Sequence, residues 1–341
     1  MVKLLQAIAG APHGGAELFF TRLALGLEEA GQQQIILMRK DKERARLLKD
    51  AGIHPEELRF GGRFDFFTQW KIKRVIDAYK PDIVLSWMNR ATQIIPMGPF
   101  VHVARLGGYY NLKYYKNCDH LIGNTPQIVD YLKQSNWPVG KCHYIPNFVD
   151  DELGSPIDRA VFNTPDGVPL IISLGRLHKN KAFDVLIKAM AELNDTFLWL
   201  AGDGEELSTL TSLAEEMGVS ERVKFLGWRS DTKNLIATCD ALICPSRHEP
   251  LGNVVLEGWA QRKPVVAAAS DGPRYLIEHG KNGLLSAVDD SVALASAIKS
   301  VLNNPKNSKA LAEVGGLTFM SNFTKSIVVS RYQDLFDEIC S

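Results

Sequence analysis

Glu249 and Glu257 stand eight residues apart in HEPLGNVVLEG, residues 248–258, with Gly252 and Asn253 between them. Two carboxylates around one segment first suggest glycoside cleavage, where the pair lies about 5–9.5 Å apart across the scissile bond. Eight residues rise about 12 Å as a helix, and more if extended, so the spacing is too long unless the loop folds back. It suits two carboxylates gripping hydroxyl groups at opposite ends of an elongated ligand, with a helix N-terminus at 252–254 facing an anion in the middle. A sugar, a diphosphate and a ribose in sequence have that polarity. A helix with one surface glutamate and one loop glutamate is the plainer alternative.

Three other loops follow apolar runs. GAPHGGAE, residues 10–17, opens a helix, and Gly14 and Gly15 would let the backbone approach an anion closely; it lacks the GxGxxG spacing of a dinucleotide fingerprint, and a tight strand-to-helix turn explains it equally. SLGRLHKNKAFDVLIKAM, 173–190, sets Arg176, Lys179 and Lys181 at the mouth of a strand, a clamp for a diphosphate or else a solvated basic loop. LAGDGEEL, 200–207, repeats the strand–glycine–helix arrangement and is weak alone.

These loops need strands behind them. Short apolar runs at 3–9, 34–38, 82–87, 100–106, 120–125 and 142–146 alternate with helical patterns such as 16–31, which stops at Gly31. The second half repeats the scheme, with strands at 169–175, 197–202, 223–227, 241–246, 264–269 and 282–286. Helices fit between them at 181–193, 205–217, 231–238, 253–261, 273–279 and 289–303. Strands apolar on both faces with helical crossovers mean parallel α/β sheets, and two such series mean two Rossmann-like domains. The expected division is 1–150 and 151–323, joined through 146–167, with a helix at 324–341 packing back on the first domain. Ligands of such sheets bind beyond the carboxyl ends of the strands, and the cleft between two sheets is the default site.

At 341 residues, 45% hydrophobic and 23% charged, the chain is long enough for two cores and unlike a disordered one. Equal numbers of basic and acidic residues, 39 each, give no sign of a nucleic-acid partner. Five cysteines without a CxxC pair read as free thiols of a reducing cytoplasm. MVKLLQAIAG reads as a first strand rather than a signal peptide, and no apolar run reaches the roughly 20 residues a spanning helix needs. No Asp-x-Asp or His/Cys cluster follows a strand, so neither a metal nor another cofactor is expected.

HEPLGNVVLEGWAQRKPVVAA resembles the E-x7-E signature of family 4 retaining glycosyltransferases, and GGAE, SLGRLHKNKAFDVLIKAM, LAGDGEEL, VKFLGWRSD, CDALICPS and DGPRYLIEHGKNGLLSAVDD fall in that family's order. The resemblance is strong over 169–300 and weaker before it. It implies the GT-B fold, two Rossmann-like domains facing across a cleft, and metal-independent transfer of a hexose with retention. The donor would be a nucleotide diphosphate sugar, a UDP-sugar being favoured, and the acceptor a hydroxyl of a glycan or glycolipid, as in lipopolysaccharide synthesis. By position, Arg176 and Lys181 would hold the diphosphate, Glu257 the ribose and Glu249, as the catalytic residue, the transferred sugar. The backbone at Leu251, Gly252, Asn253 and Val254 would meet phosphates and sugar, Gly14 and Gly15 would close on the phosphates, and the loop at 227–229, with Arg229, would lie near the base.

One stretch departs from the family. Many members carry a histidine beside the reacting sugar; here VHVARLGGYYNLKYY aligns that position near Gly107, and His102 falls earlier, inside a strand. Arg105, Tyr109 or Asn111 would then serve the acceptor, and residues 105–115, rich in tyrosine and basic residues, could rest on the inner membrane's cytoplasmic face. A GT-B sugar-nucleotide epimerase would not need the two glutamates with Arg176 and Lys181, and a non-catalytic binding module would not need every donor residue.

Overall fold

The structure, a computed structural model, describes residues 2–11, 14–61 and 65–341. The chain divides into two compact units, Met1–Asn147 with Lys325–Ser341, and Phe148–Thr324.

The first unit is built on seven parallel strands: β1 (Leu4–Ile8), β2 (Gln34–Arg39), β3 (Glu56–Leu58), β4 (Ile83–Trp87), β5 (Val101–Leu106), β6 (His120–Gly123) and β7 (Cys142–Tyr144). Their order is β3-β2-β1-β4-β5-β6-β7. Helices α1 (Gly15–Glu29), α2 (Lys42–Asp50), α3 (Phe66–Tyr79), α4 (Met88–Ile94) and α5 (Pro126–Gln134) make the crossovers. β1 and β4 are buried at all five positions, which is why they read as unbroken apolar runs. Of their two polar residues, Gln6 and Ser86, Gln6 is satisfied inside the sheet: its Nε2 donates to Gln34 Oε1 at 2.9 Å and its Oε1 accepts from Trp87 Nε1 at 3.1 Å.

The second unit has six parallel strands: β8 (Leu170–Leu174), β9 (Phe197–Ala201), β10 (Val223–Gly227), β11 (Ala241–Cys244), β12 (Val265–Ala268) and β13 (Leu284–Ser286), in the order β10-β9-β8-β11-β12-β13. Helices α6 (Phe183–Met190), α7 (Leu207–Glu216), α8 (Thr232–Thr238), α9 (Asn253–Ala260), α10 (Asp271–Leu276), α11 (Ser291–Leu302) and α12 (Pro305–Asn322) complete it. Two apolar clusters fill this unit, one including Leu186, Leu198, Ile243 and Ile298, the other Trp199, Val255, Trp259 and Phe319. The chain ends in α13 (Lys325–Cys340), which belongs to the first unit, where Lys325 pairs with Glu29 of α1 and Val329 lies against Gly26.

Among the elements that the sequence does not announce are β3 and α12. β3, three residues reading EEL, offers no apolar alternation. α12 carries Gly315 and Gly316 mid-helix, which weakens any helical pattern. Gly315 is there for packing: a Cβ on it would come within 2.4 Å of Trp259 Cδ1.

In both sheets the strand order reverses beside the first strand of the unit, between β1 and β4 and between β8 and β11. Loops leaving the carboxyl ends of strands on either side of such a point diverge and leave a crevice. In the second unit those loops are 175–182 and 245–252, the two richest in charged residues singled out above.

Candidate active site

The sheet order of the second unit brings Lys181 and Glu249 together from 68 residues apart. The loop after β8 begins at Gly175, whose φ of +143° only glycine adopts readily, and the Lys181 side chain runs over it, Cε lying 3.2 Å from where a Cβ would be. Behind it the Gly-Asp-Gly loop packs backbone to backbone: a Cβ on Gly202 would fall 1.9 Å from Gly175 O, and one on Gly204 2.3 Å from Leu177 O. The glycines of LAGDGEEL thus shape the floor beneath the basic loop. Lys179–Lys181 form a 3₁₀ turn headed by His178, whose Nδ1 accepts from Asn180 N at 3.1 Å.

The loop after β11 is knitted to that turn. His248 N donates to Asn180 O at 3.2 Å, and Arg247 donates to Lys179 O at 2.8 Å. The same guanidinium forks onto Asp184 at 2.8 and 2.7 Å and pairs with Asp289. A planar bidentate fork fixes orientation as well as distance. With the loops so fixed, Lys181 Nζ forms an ion pair with Glu249 Oε2, the two side chains being 23% and 12% exposed. Glu249 Oε1 accepts from Gly252 N at 3.3 Å, and Glu249 O from Gly272 N at 2.8 Å.

Gly252 heads α9 in the left-handed region, φ +86°, and supplies no side-chain cap to it. Its backbone N–H, at the start of the helix, meets the Glu249 carboxylate. Leu251 and Val254 are buried, so only their backbones are available to a ligand. Glu257 lies half-buried further along α9 and is close enough to act on Lys181. Burial, the largest single influence, pushes the Lys181 ammonium's pKa down, but the Glu249 carboxylate together with the other acidic groups nearby, Glu257 among them, outweighs it, and the net shift is upward. Lys181 is therefore a fixed cation between two acids. The Cys244 thiol beneath it is pushed up to about 11 by burial and stays protonated.

Arg176 and Arg229 stand apart from this cluster. Arg176 is 71% exposed and pairs with the exposed Glu205 at 2.8 Å, a contact that water screens and another anion can displace. Arg229, after the edge strand β10, places its fork on Asp231 at 2.9 and 2.7 Å and lies over the Phe162 ring at 5.4 Å. A cavity of about 630 Å³ in this unit lies at the opposite end of the sheet, by Pro169, Asp240 and Pro264 before β8, β11 and β12, away from these loops.

In the first unit the glycine loop shows a residue the sequence reading passed over. Glu17, in the first turn of α1, is only 4% exposed, and its Oε1 accepts from Ala11 N at 2.8 Å. A Cβ on Gly14 would lie 2.2 Å from Glu17 Oε2 and one on Gly10 2.5 Å from Glu17 Cγ, so these two glycines make room for the carboxylate. Gly15 meets nothing within 4 Å. A carboxylate filling this loop opposes an anion there, which weighs against Gly14 as a phosphate contact. The only local sign was an acidic residue in a helix's first turn. Pro12 and His13 of the same loop lie outside the described residues.

Within 105–115 one expectation is corrected, that Arg105 serves the acceptor. Arg105 is 3% exposed, with its guanidinium 4.7 and 5.0 Å from the Phe19 and Trp87 rings and bonded to Asn147 Oδ1. It braces the core of the first unit and offers nothing to an acceptor. Tyr115 is buried and donates to Asn89 Oδ1 at 2.6 Å, while Asn111 Oδ1 accepts from Lys113 N at 3.0 Å. Tyr109 and Asn111 both lie at the surface, Tyr109 49% exposed with its ring edge-on to Tyr131. His102 is buried, its Nε2 2.9 Å from Ser86 Oγ and its Nδ1 3.2 Å from Asn117 O; burial lowers its pKa to about 4 and makes it a neutral core residue. Gly107 closes β5, where a Cβ would meet Arg105 Nη1 at 3.4 Å.

Two doubly wound parallel sheets give the chain a GT-B architecture, and its relatives are glycosyltransferases. The Glycosyltransferase Family 4 model matches residues 13–153, and Glycosyl transferases group 1 matches 155–315. Two proteins of Rhizobium meliloti, the lipopolysaccharide core biosynthesis glycosyltransferases LpsE and LpsD, are 36% and 34% identical over 326 and 327 residues, each alignment spanning 94–95% of this chain and 95% of the relative. The chain belongs to glycosyltransferase family 4. Its fold is that of the Anabaena protein HepE solved with UDP and glucose, TM-score 0.84 at 22% identity over 99% of this chain and all of that one. WaaG, a glycosyltransferase involved in lipopolysaccharide biosynthesis, gives 0.73 at 19% over 98% and 99%.

Proposed function

We propose that this glycosyltransferase moves a hexose from a nucleotide diphosphate sugar, a UDP-sugar in the first instance, to a hydroxyl of a lipopolysaccharide-core or similar envelope glycan. The anomeric configuration is retained and no metal is required. The observation that carries the donor assignment is the Lys181–Glu249 pair, set at the switch point of the second sheet beside the start of α9. An ammonium has three N–H donors, so Lys181 can keep Glu249 and still meet diphosphate oxygens. As the bond from the sugar to the diphosphate lengthens, negative charge gathers on the leaving group. Lys181, the start of α9 and, once released from Glu205, Arg176 lie where they can meet it. Glu249 then faces the carbon where positive charge develops, and Glu257, further along α9, accepts from ribose hydroxyls. The identity to two lipopolysaccharide-core enzymes over nearly the whole chain supports the acceptor class, and family membership supports retention. With a membrane-borne acceptor, the enzyme works at the cytoplasmic face of the inner membrane.

Calorimetric titration with UDP-, GDP- and ADP-sugars tests the donor reading. Binding of one nucleotide series, weakened at least tenfold by Lys181→Ala, is expected. Binding unchanged in that variant would remove Lys181 from the site.

A further inference from the structure

We infer that the outer face of α3 is a docking surface for an anionic phospholipid bilayer. This deepens the membrane placement proposed above and moves it off residues 105–115, whose Arg105 and Tyr115 lie in the core. Helix α3 begins at Asp65, whose Oδ1 accepts from Thr68 N at 3.0 Å, and it buries Thr68, Ile72 and Ile76 against the first unit. Its other face carries Phe66, Phe67 and Trp70, which are 70%, 54% and 50% exposed. Residues three and four apart share a helix face, so the three rings form one patch, with Phe67 and Trp70 5.9 Å apart between centroids. A monomer in water leaves single apolar side chains exposed; three large aromatics together on one helix mark an interaction surface.

The charges around them say what that surface meets. Lys73 and Arg74 continue the same exposed face, the Arg74 guanidinium 4.8 Å from the Trp70 ring. The first unit, moreover, carries 22 Lys and Arg against 16 Asp and Glu, while the second carries 17 against 23, an asymmetry hidden in the neutral total. Aromatic rings with basic residues beside them, on a helix not apolar enough to span a bilayer, suit the headgroup boundary of an anionic leaflet. Position agrees with purpose. α3 follows β3, so its first turn lies at the carboxyl end of the first sheet, the end where a ligand of that unit would sit. A bilayer there would present a lipid-anchored acceptor at the height where it is used.

The test is sedimentation of the full chain with vesicles of phosphatidylethanolamine and phosphatidylglycerol, against vesicles of phosphatidylcholine alone, at about 0.1 M and about 1 M salt. The wild type should pellet with the anionic vesicles at low salt and much less with neutral ones. The triple variant F66S/F67S/W70S should lose at least tenfold in partitioning, and K73E/R74E should lose the preference for anionic lipid. Both variants should keep nucleotide affinity and thermal midpoint, because none of these side chains belongs to the core or the donor site. Wild-type protein that stays in solution with anionic vesicles, or a triple variant that pellets as well as wild type, overturns the inference. So does a wild-type dimer, seen by sedimentation velocity, that the triple substitution dissociates, since the patch would then be a contact between copies. Vesicle binding is read without a donor, so its failure is distinct from a failure of the proposed transfer.

Discussion

Removing Lys181 should expose how its partner is held. Lys181→Met leaves the Glu249 carboxylate, 12% exposed, without its cation and, among the described residues, with Gly252 N at 3.3 Å on its other oxygen. Breaking a fully buried ion pair costs about 3–5 kcal/mol, mostly because one charge is left desolvated. Here some solvent reaches both groups, so the expected loss is about 2–3 kcal/mol, near the figure for a lost charged hydrogen bond. Adding Glu249→Gln removes the orphaned charge, and the double variant should recover about 1–2 kcal/mol relative to Lys181→Met. Urea unfolding of the four proteins at neutral pH gives the cycle. Titration with the nucleoside diphosphate separates this effect from ligand binding: both proteins lacking Lys181 should lose at least tenfold in affinity, while Glu249→Gln, which frees the lysine, should keep it or gain. Additivity of the two stability losses within about 0.5 kcal/mol would show that the pair has no energetic reality.

Two further outcomes follow from other parts of the molecule. His102 has its folded pKa lowered from 6.5 to about 4 by burial, so the folded state favours the neutral ring; its contribution is complete above pH 6.5 and is lost as pH falls toward 4. Wild type should thus lose about 3 kcal/mol more than His102→Gln between pH 7 and 4 in urea midpoints, and parallel profiles would refute a buried neutral imidazole. Glu249→Gln should mainly lower kcat, because its contact strengthens as charge develops, whereas Glu257→Gln should mainly raise the donor KM; steady-state kinetics showing the reverse would exchange their roles.

Much of this was legible in the chain because buried parallel strands write themselves as unbroken apolar runs. PLIISLG, FLWLAG and ALICPS all enclose observed strands, and the loops after the first and third hold Lys181 and Glu249. What could not be read was the order of the strands. Nothing local says that β8 lies beside β11 rather than β10, and that adjacency is what joins a lysine to a glutamate 68 residues on. Arg105 misled for a related reason. In VARLGGYY it looks like a cation at a strand mouth, but its burial depends on Phe19, Trp87 and Asn147, which only the fold brings to it. Glu17 was visible in GGAE, yet a first-turn glutamate usually faces water; only the missing Cβ atoms of Gly10 and Gly14 let this one turn inward. The patch on α3 was hidden in plain composition, because FFTQWKIKRVIDAY has enough apolar residues for a buried helix and the sequence does not say which of its faces the sheet covers.

Transfer at the Lys181–Glu249 site is read most directly by proton NMR of the nucleotide-sugar donor incubated with the enzyme and followed from the first turnover, with or without an added glycan acceptor. The site described predicts that the anomeric proton of the first-formed glycoside or free sugar keeps the configuration it had in the donor, and that the signal disappears in Lys181→Met. An inverted anomer, or turnover undiminished without Lys181, would contradict it.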